Sequence, residues 1–322
     1  MRAAPLPVEL PESFSVSAAR NLGVPRSRLR AADLSSPFHG VRTRSARPDD
    51  AFETSVRRRS AAYAARMREC EFFCLVAAAV AWGAPLPSSV FHLRDGPDRL
   101  VERPLDVGVL LPARAGRARG VRGISLTEGM GSVRIEPVSG LRVTSPATTW
   151  AMMGALLQRD DLVALGDALV REPMRSDDPP ALATIAELTA ALEAGRRRGA
   201  ASLRAALPLV RTRSRSRKET QTRLLLLAAG LPEPSLNHPV VVEREVVALV
   251  DLAFPERKVG FEYEGEQHLT DPRQWARDIR RYEMLADLGW RIIRVTASDL
   301  AQHRKEFVKR ARAALSRGPR RG

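Results

Sequence analysis

The sequence predicts a mixed α/β chain of the α+β class, and three observations point that way. Apolar runs with helical spacing alternate along the 322 residues with short Val-rich runs of strand character. From Glu219 onward these runs fall in the order helix, three strands, helix, strand, helix. The composition is that of a folded chain, 44% hydrophobic and 28% charged, which argues against wholesale disorder. At about 100–200 residues per domain, the length allows two or three.

The formal charge is +15 and is carried by arginine, since lysine occurs only at Lys218, Lys258, Lys305 and Lys309. Guanidinium groups suit bidentate phosphate recognition, so a polyanion, DNA above all, is the expected partner. An Arg- and Ala-rich codon usage is the plain alternative for any single arginine. Cys70 and Cys74 are the two cysteines, one helical turn apart in an apolar run, and are expected to pack as small hydrophobes. The start of the chain lacks the apolar stretch of a signal peptide, and no later run approaches the ~20 apolar residues of a membrane span. A cytoplasmic protein with no membrane partner is the expectation.

In chain order, residues 14–42 read as two short helices broken at Gly23, then a turn and an extended segment. That order suits a winged helix-turn-helix over 1–60. Pro25 would open the second helix, with Arg26, Arg28 and Arg30 fanned toward a groove or phosphates; a small helical cap with solvated arginines reads equally well. A mixed α/β region over 61–195 follows. It is expected to hold a helix over 69–82, strands from Leu105, Val121, Val133 and Leu141, and helices in TTWAMMGALL, LVALGDALV and LATIAELTAALEAG. His39 and His92 stand isolated. The stretch 196–217 reads as a basic linker or a phosphate-tracking arm, and 218–316 as the last domain.

The first helix of that domain ends at Gly230, with Pro232 and Pro234 beyond it. VVVE at 240–243, VVALVDLAF at 246–254 and KVGFEYEG at 258–265 are the three strands. Alternation puts Glu262 and Glu264 on one face with Gly260, and Val259, Phe261 and Tyr263 on the other. Asp251 interrupts an apolar run, where a carboxylate is costly unless paired, hydrogen-bonded or bound to a cation. Mg²⁺ takes oxygen ligands, commonly one or two carboxylates with water and phosphate, so Asp251 with Glu262 or Glu264 would suffice. Acids facing solvent, or paired with Arg257 and Lys258, are the competing reading. An amphipathic helix through Trp275, Ile279, Tyr282 and Ala286, the strand RIIRVT and a terminal helix capped by Ser298 complete the domain.

Several spaced motifs here resemble the PD-(D/E)XK nuclease superfamily, and within it the bacterial domain family related to very-short-patch-repair endonucleases. They are Glu219, VDLAFP with Asp251, FEYEGEQH with Glu262, Glu264 and His268, WARDIRRYE with Asp278 and Arg281, and GWRIIRVT with Trp290 and Arg294. The resemblance covers about the last hundred residues. It implies a restriction-endonuclease-like core and Mg²⁺-dependent phosphodiester hydrolysis, with Mn²⁺ able to substitute. Asp251, Glu262 and Glu264 would then be the metal ligands, and Glu219 would contribute from the first helix. The superfamily's third signature position is often lysine and here is Glu264. Either Glu264 joins the ligands, or His268 or Gln267 positions the water; His268 as a surface residue is the plain alternative. Arg277, Arg280 and Arg281 would meet phosphate, although Arg281 could instead pair with Asp278. Residues 14–150 more loosely resemble the abortive-infection type IV antitoxins, through SARNLGVPRSRLR and VTSPATTW. That likeness implies a DNA-binding winged helix and feeds the competing function, a non-catalytic regulator.

Overall fold

A computed structural model describes residues 4–44, 51–96, 99–264 and 272–316, with side chains from 277 onward in the last stretch. Two compact units divide the chain, Met1–Leu162 with Ala183–Pro208, and Val163–Leu182 with Leu209–Gly322. No helix among the described residues is long and apolar enough to cross a membrane.

The first unit opens with β1 (Ser13–Ser15) and α1 (Val16–Asn21), the latter capped by Ser15, whose hydroxyl accepts from Ala18 N. A 3-10 turn at Arg28–Arg30 and β2 (Val41–Thr43), antiparallel to β1, follow. The second helix expected after Pro25 is only that turn. Val24 and Leu29 are both buried in the small core around Phe14 and Ala19, and the backbone is extended again by Ala31, which leaves no length for a helix.

Next come α2 (Phe52–Ala64), β3 (Glu71–Phe73), α3 (Leu75–Ala81), β4 (His92–Arg94), β5 (Leu100–Glu102), β6 (Leu105–Leu110), β7 (Val121–Leu126), β8 (Val133–Ile135), β9 (Arg142–Thr144) and α4 (Pro146–Met153). After α5 (Arg159–Leu169), which crosses the unit boundary, α6 (Ile185–Glu193) and α7 (Ala200–Ala206) return to the first unit. Its main sheet has the order β7-β6-β3-β9-β8. The helix expected over 69–82 is thus split. Glu71–Phe73 is the central strand, antiparallel to β6 and parallel to β9, and the helix starts only at Leu75. A short apolar run buried on both sides has no period that separates strand from helix. The cysteines part company accordingly, Cys74 buried and Cys70 exposed. The stretch expected as a basic linker carries α7, with Leu203, Ala206 and Val210 buried.

In the second unit, α8 (Arg217–Ala228), β10 (Ser235–Val242), β11 (Glu245–Phe254), β12 (Val259–Tyr263), α9 (Pro272–Asp287), β13 (Arg291–Val295), α10 (Ala297–Ala301) and α11 (Arg304–Ser316) follow the expected order. The sheet is mixed, β10-β11-β12-β13, antiparallel except for the parallel β12–β13 pair. Leu226 of α8, Leu300 of α10 and Phe307 of α11 pack with Phe261 and Val295 in one core. Leu285 of α9 packs with Val240, Ala248 and Val250 in another. The alternation read in β12 holds. Val259, Phe261 and Tyr263 turn into the first core, whereas a Cβ at Gly260 would meet Val250 and Ile292 in the second. The terminal helix differs from expectation. Thr296, not Ser298, caps it in a reciprocal box with Asp299, and it breaks after Ala301.

This unit is completed by residues far back in sequence. Asp167, buried on α5, accepts from Arg211 N at 2.7 Å, Thr220 Oγ1 at 2.7 Å and Arg223 Nη2 at 3.2 Å. Arg223, fully buried on α8, also donates to Leu209 O and Glu233 Oε1. Asp178 holds Arg215 through two bonds of 2.9 and 3.0 Å.

Candidate active site

Ser216 starts α8 by accepting from Glu219 N at 3.1 Å, which puts the Glu219 side chain in the helix's first turn. There it is buried at 6% exposure and accepts from Arg215 N and from Asn237 Nδ2, both at 2.9 Å. Burial pushes its carboxyl pKa up, and those hydrogen bonds pull against the shift. Asn237 reaches this point from a left-handed backbone, φ 44°, which asparagine tolerates better than most residues. Its Nδ2 also donates to Arg213 O, which ties the start of β10 to the chain before α8.

Asp251 on β11 lies half-buried across from the end of β12, where Tyr263 N donates to its Oδ2 at 3.2 Å. Its pKa is raised to about 7, first by burial and then by the negative charges of Glu219 and Glu262, with Arg281 only partly offsetting them. Three acids from α8, β11 and β12 therefore crowd one locality. Glu262, 4% exposed, is gripped by Arg281 of α9 through two bonds of 2.7 Å, and Tyr282 donates to its Oε2 at 2.7 Å. The same tyrosine hydroxyl lies 3.0 Å from Glu264 Oε1, which also pairs with Arg294 Nε at 3.0 Å. The Arg281 and Arg294 guanidiniums both lie over the Tyr282 ring, 4.6 and 4.5 Å from its centroid. Burial and the bond to Glu262 push the pKa of the Tyr282 hydroxyl up, so it stays a donor. Lys218, beside Glu219, holds its ammonium 5.6 Å from the centre of the Tyr263 ring, and burial lowers its pKa.

Of the residues expected from sequence, Glu219, Asp251, Glu262 and Glu264 thus lie in the same region of the second unit. His268 and Gln267 fall outside the described residues. Arg277 and Arg280 are exposed on α9, while Arg281 serves Glu262. In the first unit Arg26 and Arg30 are exposed, and Arg28 makes a two-bond pair with Asp33 at 2.9 and 2.8 Å. Sequence reasoning did not reach Asn237, Tyr282 or Lys218 as site residues. Tyr282 was legible only as a core position of an amphipathic helix, and Asn237 left no signal beyond being a polar residue near a strand.

As to metal, the donor chemistry fits a hard divalent cation, because all the acids offer oxygen and Asp251 retains negative neighbours that its hydrogen bond does not neutralise. Among the described residues no three His, Cys, Asp or Glu side chains converge closely enough to hold one ion together.

Comparison with known proteins adds relatives but no activity. The chain is 29% identical over 203 residues to the uncharacterized proteins MT2308 and Rv2248 of two Mycobacterium tuberculosis strains, CDC 1551 and H37Rv. Each alignment covers 62% of this chain and 71% of the relative. No family model matches the chain, and no solved structure matches it.

Proposed function

We propose that the second unit is a metal-dependent endonuclease that hydrolyses DNA phosphodiester bonds. The observation that carries this reading is Asp251, half-buried beside the carboxylates of Glu219 and Glu262, an arrangement that costs stability unless a cation makes use of it. The order of helices and strands agrees with what the PD-(D/E)XK resemblance implies. Asp251 with Glu262 or Glu264 would hold Mg²⁺, with Mn²⁺ as a substitute and water and phosphate oxygens as the remaining ligands. When bound, the ion would polarise the scissile phosphate and favour ionisation of the attacking water. The protein's own groups do the rest. Tyr282 fixes Glu262 relative to Glu264, Asn237 and Arg215 N fix Glu219, and exposed Arg280 offers positive charge to the phosphate backbone.

One observation favours a second reading, a non-catalytic DNA-binding regulator. Arg281 already supplies Glu262 with a cation through two short bonds. Incubating the full chain with supercoiled plasmid, linear duplex and single strands, each with Mg²⁺, Mn²⁺ or EDTA, separates the two. Nicking that needs metal supports the enzyme. Retention of duplex without cleavage under every condition supports the regulator.

A further inference from the structure

Within the first unit, β7 borders a cavity of about 470 Å³ that no residue of the acid cluster lines. Its volume lies in the range of small-ligand sites, roughly 300–1,000 Å³. The wall is apolar where it is formed by Ile124 and Leu126 of β7, Met130, Met152 of α4, and Leu156 just past that helix. The rim is cationic, with Arg196, Arg197 and Arg198 in succession from the α6–α7 loop and Arg122 from the strand.

That loop is held in place. Arg197 Nε donates to Ala191 O at 2.9 Å, and its guanidinium also bonds Met130 O. Gly199 adopts a left-handed backbone, φ 75°, directly against the carbonyl of Gly154, where any Cβ would collide. Arg196 and Arg198 are exposed on either side of this anchor. Arg122 gives its Nε to buried Asp106 at 2.6 Å, yet its Nη2 is buried with no hydrogen-bond partner among the described residues. Among the described residues β7 pairs with β6 alone, and Arg122, Ile124 and Leu126, two apart along the strand, share one face.

We propose that this cavity binds a nucleotide, with the base against the methionine-lined wall and the phosphates on Arg196 and Arg198. An inorganic anion has no use for the apolar wall, and an uncharged apolar ligand has none for the arginine rim. A planar heterocycle with a polyphosphate uses both. The inference is independent of the acid cluster and stands whether or not the chain cuts DNA.

Calorimetric titration of the full chain at about 0.15 M salt, with ATP, GTP, adenosine, inorganic triphosphate and dodecyl phosphate, tests it. At least one nucleoside triphosphate is expected to bind saturably, about tenfold or more tighter than adenosine or triphosphate alone. Replacing Arg196 and Arg198 together by Ala should weaken it by about tenfold or more. Ala155→Phe, at an exposed position on the cavity wall, should weaken the nucleotide and leave inorganic triphosphate unchanged. The proposal is overturned if triphosphate binds as tightly as any nucleotide, if dodecyl phosphate outcompetes them, if Ala155→Phe has no effect on nucleotide, or if no nucleotide binds.

Discussion

At Asp251 a side chain is kept where its own charge is unwelcome, since burial and two acidic neighbours raise its pKa to about 7. Asp251→Asn removes that charge at nearly constant volume and keeps an acceptor for Tyr263 N. Thermal melting should therefore stay level or rise. Mg²⁺ binding and plasmid nicking should fall together, while duplex retention in EDTA holds or tightens. A mutant that melts earlier and cuts normally would show a structural acid and end the proposed assignment. Arg281→Ala should do the opposite to stability. It strips Glu262, 4% exposed, of both its guanidinium bonds. Arg281 is itself about 29% exposed, so the expected loss of about 2–3 kcal/mol lies at or below the low end for a buried pair. Chemical denaturation measures it. The two sites differ in how they could be read. Asp251 and Glu262 were legible because period-two alternation and an acid in an apolar run are local signals. The Arg281–Glu262 grip was not, since on the helix Asp278 was an equally good partner by spacing.

At the level of elements, the start of α8 couples a cap to a functional side chain. Ser216→Ala removes the acceptor for Glu219 N and should cost about 1 kcal/mol, with a parallel loss of whatever Glu219 contributes to metal binding. Asp178 is a second test. Hydrogen bonds from Arg215, and next those from Met174 N and Arg175 N, hold its carboxyl well below the usual carboxylate range. A depressed native pKa contributes stability that is complete above the unfolded value, about 4. That contribution is lost as pH falls through the native value. The melting temperature of wild type should drop more steeply in acid than that of Asp178→Asn, and parallel curves would count against the pairing. Elements with clear periodicity, α4, α6, β6, β11 and α9, were legible in sequence. The central strand β3 was not, because a run buried on both faces has no polar side to mark its period. The cap of α10 was misplaced because Thr296 and Ser298 are both good cap residues two positions apart, and only the reciprocal bonds with Asp299 decide between them.

For the molecule as a whole, the unit boundary matters more than any single element. A sequence reading that begins the last domain at 218 leaves Asp167 and Asp178 outside it, although they satisfy Arg223 and Arg215. A fragment of residues 209–316 should therefore fail to fold cooperatively, and supplying 163–182 in trans or through a short linker should restore a sharp transition in circular dichroism. If 209–316 folds alone, the boundary drawn by these contacts is wrong. The +15 charge makes a separate demand. If six or more phosphates are contacted, duplex affinity should fall by about 10³-fold or more between 50 and 200 mM salt, and a flat response in a filter-binding series would remove DNA as the partner.

The interleaving of the two units also sets an order of events on the ribosome. Residues 163–182 leave the exit tunnel before 183–208, which belong to the other unit, and before Arg223 has been made. Synthesis runs at about 5–20 residues per second, so the segment waits for its partner on the order of seconds. During that interval Asp167 is an ordinary solvated carboxylate on a nascent chain. Arg223 can meet Asp167 only after both have emerged, so the buried pair that ties α5 to α8 is made late in synthesis.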